Sequence, residues 1–119
     1  MKKTLVLGAT TNQTRYAFLA ANKLVEHGHS IVNIGIKNGE VAGVPIEKAG
    51  AIHAGIDTVT LYLGPLHQQE YYDYILRTKP KRIIFNPGAE NPELETLAQE
   101  NGIETLEACT LVLLSTGQY

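Results

Sequence analysis

A chain of 119 residues is long enough for one domain with an ordinary core, and its hydrophobic fraction of 44% with 18% charged residues excludes a disordered segment. The net charge of -2 excludes the strongly basic footprint of a nucleic-acid binder, and the single cysteine, Cys109, excludes an internal disulfide framework and suits a reducing compartment. No apolar run approaches a membrane span and MKK leads straight into strand-like sequence, so the expectation is one soluble, cytoplasmic domain over 1–119.

Thr4 to Leu7 is apolar and rich in branched side chains, which predicts a buried parallel strand. Gly8 ends it where a backbone without Cβ can bend and admit a ligand. Thr10, Thr11, Asn12, Gln13 and Thr14 form a polar loop, and Arg15 opens a helix. Strand, glycine loop and helix together make an anion site, because the helix presents its free N–H groups and its positive end at the carboxyl end of the strand. Arg15 adds a fixed charge suited to phosphate. Ala17, Ala20, Ala21, Leu24 and Val25 fall on one buried stripe, and Gly28 follows as a helix stop.

Ile31 to Ile36 reads as the second strand, closed by the turn Lys37, Asn38, Gly39. Glu40 to Glu47, interrupted by Pro45, reads as an irregular link with room for a short strand, and Lys48 to Ala54 as one or two helical turns. Asp57 to Leu63 is the third strand, stopped by Gly64 and Pro65. A helix from about Gln68 to Thr78 turns Tyr71, Tyr74, Ile75 and Thr78 inward and Tyr72 outward, where Tyr72 would suit a homodimer contact or a solvent-covered face. Arg82 to Phe85 is the fourth strand, closed by Asn86, Pro87 and Gly88. Asn91 as N-cap, Pro92 at the first helical position and Gly102 after the end predict a helix over 92–101. Ile103 to Leu106 is a fifth strand, and Cys109 to Leu114 is apolar and fits either strand or helix.

Alternating strands and helices imply an α/β, Rossmann-like, doubly wound parallel sheet of five strands with helices on both faces. The order expected is 3-2-1-4-5, with the ligand at the carboxyl ends near the switch between strands 1 and 4. An NAD site wants G-x-G-x-x-G and an acidic residue after the second strand; this chain has Gly8 alone, Thr10 and Gln13 at the other glycine positions, and Lys37 where the acid should be. A lysine there suits an extra phosphate on a ribose, leaving coenzyme A and NADP as candidates.

In this order the motifs resemble the small stand-alone CoA-binding proteins, similar to the first domain of the succinyl-CoA ligase α subunit. The glycine opening corresponds to Gly8, Ala9 and Thr10 followed by Arg15, Tyr16 and Ala17. The family's second strand ends in V-N-P-K; here Lys37 is kept, with Gly35 and Ile36 in place of Asn and Pro. Its Q-P-G motif corresponds to Asn86, Pro87 and Gly88, and its late cysteine to Cys109. The resemblance implies binding of CoA or an acyl-CoA, with no reaction and no catalytic residue of the domain's own. It implies contacts from Gly8, Ala9, Thr10, Thr11, Asn12, Arg15, Tyr16, Lys37, Gly64, Pro65, Asn86, Pro87 and Gly88. Two other readings stay open: an NADP-dependent oxidoreductase-like protein, and an interaction module with a vestigial nucleotide site. His53 and His67 have no partners at metal-ligand spacing, and Cys109 in its apolar context reads as a core residue.

Overall fold

The computed structural model describes residues 1–119. Seven strands form one sheet: β1 (Thr4–Leu7), β2 (Ile31–Ile34), β3 (Glu40–Val41), β4 (Val44–Glu47), β5 (Thr58–Leu61), β6 (Arg82–Phe85) and β7 (Glu104–Glu107), in the order β3-β4-β2-β1-β5-β6-β7. All neighbours pair in parallel except β3 with β4. The helices are α1 (Tyr16–Glu26), α2 (Pro65–Gln68), α3 (Tyr72–Thr78), α4 (Pro92–Glu100) and α5 (Thr110–Ser115).

The parallel, doubly wound class is as expected, but two features differ. The sheet has seven strands, not five, and Asp57–Leu63 does not supply the third position of the order. That place belongs to β4, from the stretch read as a link, so the six parallel strands run 3-2-1-4-5-6 in chain order. The switch point therefore lies between β1 and β5 rather than between β1 and β6. The physical reason is the hairpin β3–β4. Ala42 and Gly43 both take positive φ, the geometry of a two-residue hairpin turn. The buried side chain of Asn33 then donates to the carbonyls of Val41 and Val44 at 3.2 and 3.1 Å, tying the hairpin to β2.

Other expectations also differ: the second strand ends at Ile34 rather than Ile36, and the strand expected over Asp57–Leu63 covers Thr58–Leu61. Residues 48–54 form no helix, and the helical run after β5 starts at Pro65, passes through one 3-10 turn at Gln69–Tyr71, and continues as α3. The ambiguous Cys109–Leu114 segment is helical.

Two cores flank the sheet. On one face Leu5, Leu7, Ile34, Val59, Leu61, Ile83 and Phe85 pack against Ile75 of α3 and Leu94 of α4. On the other, Val6, Ile31 and Ile46 pack against Ala17, Ala21 and Leu24 of α1 and Leu114 of α5. The alanines let α1 lie close to the sheet, whereas Val25, expected on the buried stripe, is exposed. The Tyr72 hydroxyl, read as outward-facing, is engaged within the chain: it donates to Glu93 at 2.9 Å and accepts from Asn91 at 2.8 Å.

Candidate ligand site

The carboxyl ends of β1, β2, β5 and β6 open into a cavity of about 720 Å³. It forms because Gly8 and Gly35 let two chain segments come closer than side chains would allow. Gly8 sits at φ +100°, and a Cβ there would lie 3.0 Å from the Tyr62 carbonyl oxygen. A Cβ on Gly35 would lie 2.4 Å from the Ala9 carbonyl oxygen. The N–H groups of Gly8 and Ala9 both donate to the Ile34 carbonyl at 2.9 Å, and Gly35 donates to the Glu47 carbonyl. The first loop is thereby clamped against the end of β2.

Beyond Ala9 the loop is shaped by its own side chains. The Asn12 N–H donates to the Thr10 hydroxyl at 3.1 Å, and the Thr14 N–H and hydroxyl both donate to Asn12 Oδ1, at 3.0 and 2.7 Å. This Asx-type turn delivers the chain to α1. The N-cap of α1 is Arg15, whose side chain has no acceptor to offer, and no acidic residue stands in the first turn. The N–H groups of Tyr16 and Ala17 find no acceptor within the chain. An eleven-residue helix thus turns uncapped donors and its positive end on the cavity, with the exposed Arg15 guanidinium beside them.

Arg15 and Lys37 are the only charged side chains lining the cavity, so a chain of net charge -2 walls this space with two cations and no carboxylate. Tyr62 and Tyr71 join Tyr16 in the lining. Burial pushes the Tyr62 phenol up to about 12, and its oxygen is buried without a hydrogen-bond partner. Burial, with Glu70 alongside, also raises Tyr71. Both stay protonated at neutral pH. A second cavity of about 600 Å³ meets the first at Gly35, Ile36 and Tyr71; it carries Lys48 and Arg77 against Glu70 and Asp73.

Gly8, Ala9, Thr10, Thr11, Asn12, Arg15, Tyr16, Lys37, Gly64, Pro87 and Gly88 all line the first cavity. Pro65 and Asn86 do not. Pro65 is the first residue of α2, where its missing N–H costs nothing. Asn86 is 2% exposed and turned inward. Its Nδ2 donates to Thr60 Oγ1 at 2.7 Å and to the Leu61 carbonyl at 2.8 Å, while Oδ1 accepts from the Thr110 N–H at 2.9 Å. It pins the loop that carries Pro87 and Gly88 and caps α5. Gly35, Ile36, Tyr62, Leu63 and Tyr71 are lining residues that sequence reading did not assign to the site. Tyr71 was legible only as an inward-facing helix residue, and Gly35 only as the family's missing asparagine.

The model of a CoA binding domain family matches residues 2–115. No curated protein matches the chain significantly. Among solved structures, one described as an uncharacterized protein is 55% identical, covers 100% of this chain and 98% of its own, and superposes with a TM-score of 0.97. A hypothetical protein from Pyrococcus horikoshii OT3 is 26% identical over 97% of this chain and 82% of its own, with a TM-score of 0.85. A protein from Thermus thermophilus, 21% identical over 99% of this chain and 90% of its own, shares the fold at a TM-score of 0.86.

Proposed function

The chain belongs to this family of CoA-binding domains, and on that premise we propose that it binds coenzyme A or an acyl-CoA in the first cavity, without a reaction of its own. The observation that carries the reading is the uncapped α1 N-terminus together with Arg15 and Lys37 in a cavity free of carboxylates. Coenzyme A puts all its charge on one half, a pyrophosphate and a ribose 3′-phosphate. The pyrophosphate suits the free N–H groups of Tyr16 and Ala17 and the Arg15 guanidinium. The 3′-phosphate suits Lys37 at the turn after β2. A ribose diol has no acidic partner there, which disfavours NAD.

The proposal of binding without catalysis rests on the lining chemistry. The cavity wall holds no His, Cys, Asp or Glu to serve as an acid–base or nucleophilic group. Tyr62, at about 12, holds its proton too tightly to act as a base. Cys109 lies outside the wall. The test is calorimetric titration with CoA and NADP side by side. Saturable one-to-one binding of CoA, tighter than that of NADP, is the expected result. Tighter binding of NADP overturns the reading in favour of a nicotinamide dinucleotide site, and binding of neither overturns it in favour of a vestigial one.

A further inference from the structure

Beyond the pair Leu61–Phe85, β5 and β6 leave the sheet ladder, and the loops that follow carry Leu63, Gly64, Pro87, Gly88 and Ala89 of the cavity wall. No backbone N–H donates to the carbonyl of Leu63 or of Ala89. One side chain serves both. Gln68, the last residue of α2, is fully buried, and its Nε2 donates to the Leu63 carbonyl and to the Ala89 carbonyl, each at 2.8 Å. A primary amide has two N–H donors, so one goes to each loop and none is left over.

The acceptor end is held as well. Gln68 Oε1 accepts from Asn91 Nδ2 at 2.9 Å, and Asn91 Nδ2 also donates to the Tyr72 hydroxyl at 2.8 Å. Asn91 Oδ1 accepts from the N–H groups of Glu93 and Leu94. Gln68 is thereby fixed to the start of α4, a helix anchored on the sheet through Leu94 and Ala98. Every polar atom of the Gln68 amide is satisfied, so this buried group links two loops at no desolvation penalty. Gln68 does not itself line the cavity; it acts there through Leu63 and Ala89, which do.

We propose that Gln68 is a positioning residue for the ligand, holding the loops after β5 and β6 at the separation that CoA binding requires. The inference rests on the CoA reading above. A wall that contacts a ligand must be held to a fraction of an ångström by the groups behind it. Methionine at this position would fill a similar volume and make none of the three bonds. The Leu63 and Ala89 carbonyls would then lose their donor, and the loops would move to find others.

The test is calorimetric titration of CoA into wild type and Gln68→Met, each well below its melting temperature, with circular dichroism confirming the fold. Gln68→Met is expected to melt lower and to bind CoA roughly ten-fold more weakly in its folded state. A side chain with only a structural role would lower the melting temperature and leave the affinity of the folded protein as in wild type; that result overturns the inference. A second arm uses wild type alone and decides the matter if Gln68→Met does not fold. The Gln68 side-chain amide hydrogens, followed by NMR, are expected to exchange slowly and to shift as CoA is added, because both their acceptors belong to the wall. A pair that exchanges at the rate of a solvated amide, or that does not move at CoA saturation, overturns the inference. Failure of wild type to bind CoA overturns the proposed function and this role with it, whereas the other adverse results overturn the role of Gln68 and leave that function intact.

Discussion

Replacing Asn86 with alanine separates a structural role from a ligand contact. The substitution removes three hydrogen bonds of 2.7–2.9 Å at a site 2% exposed. Thr60 Oγ1 keeps its bond to Thr110 Oγ1 at 2.8 Å. The Thr110 N–H, at the first turn of α5, is left without a partner. Two ordinary hydrogen bonds at about 1 kcal/mol each, plus about 1–2 kcal/mol for a stranded buried donor, give a loss of roughly 3–4 kcal/mol. In a domain of this size that corresponds to a fall in Tm of about 10–20 °C. Thermal unfolding followed by circular dichroism measures it. Asn86→Asp should be no milder, since it keeps the acceptor for Thr110 but places a charge in a buried pocket and loses the donor to Leu61. A protein that melts within about 3 °C of wild type yet loses CoA affinity would refute the reasoning and return Asn86 to the ligand.

Arg15→Ala should weaken CoA binding by about 1.5–3 kcal/mol, the size of a charge-assisted hydrogen bond, with Tm unchanged because the side chain is exposed; unaltered affinity would remove Arg15 from the site. Lys37→Ala should erase a preference of about five-fold for CoA over 3′-dephospho-CoA, and in wild type that preference should shrink as salt rises; equal binding of the two ligands by wild type at low salt would make Lys37 a solvated turn residue. Gly35→Ala should cost about 1–3 kcal/mol in urea denaturation, because its Cβ would meet the Ala9 carbonyl at 2.4 Å and backbone cannot yield cheaply; a neutral effect would mean that the first loop is not clamped against β2.

What was legible in the sequence is what local chemistry determines. Gly8 after an apolar run, the Asn91–Pro92 start of α4 and the glycine at 102 each act within a few residues, and the elements they announce are where they were expected. What was not legible depends on distant partners. The strands β3 and β4 span two and four residues, one with Pro45, and carry no alternation that periodicity could detect. Their place in the sheet comes from Asn33, a buried amide in the middle of an apolar strand. Missing them placed Asp57–Leu63 at the edge beyond β2, whereas it lies on the far side of β1, between β1 and β6. Gly64–Pro65 marked a strand stop equally well as a helix start, and the structure uses it as both. Asn86 before Pro87 and Gly88 reads as a polar loop residue facing a ligand; only the return of α5, with Thr110 against it, turns it inward. Most of the cavity's lining was nevertheless foreseen, because the loops after β1, β2, β5 and β6 meet at one end of the sheet whichever order the outer strands take.

The most direct test of the account is amide hydrogen exchange, residue by residue, with and without saturating CoA. The N–H groups of Tyr16 and Ala17 have no acceptor within the chain and should exchange fast in the free protein. If they and the Arg15 guanidinium hold the pyrophosphate, both amides should slow markedly on adding CoA. Saturation with CoA that leaves Tyr16 and Ala17 exchanging at the free rate, with protection appearing elsewhere, would contradict it.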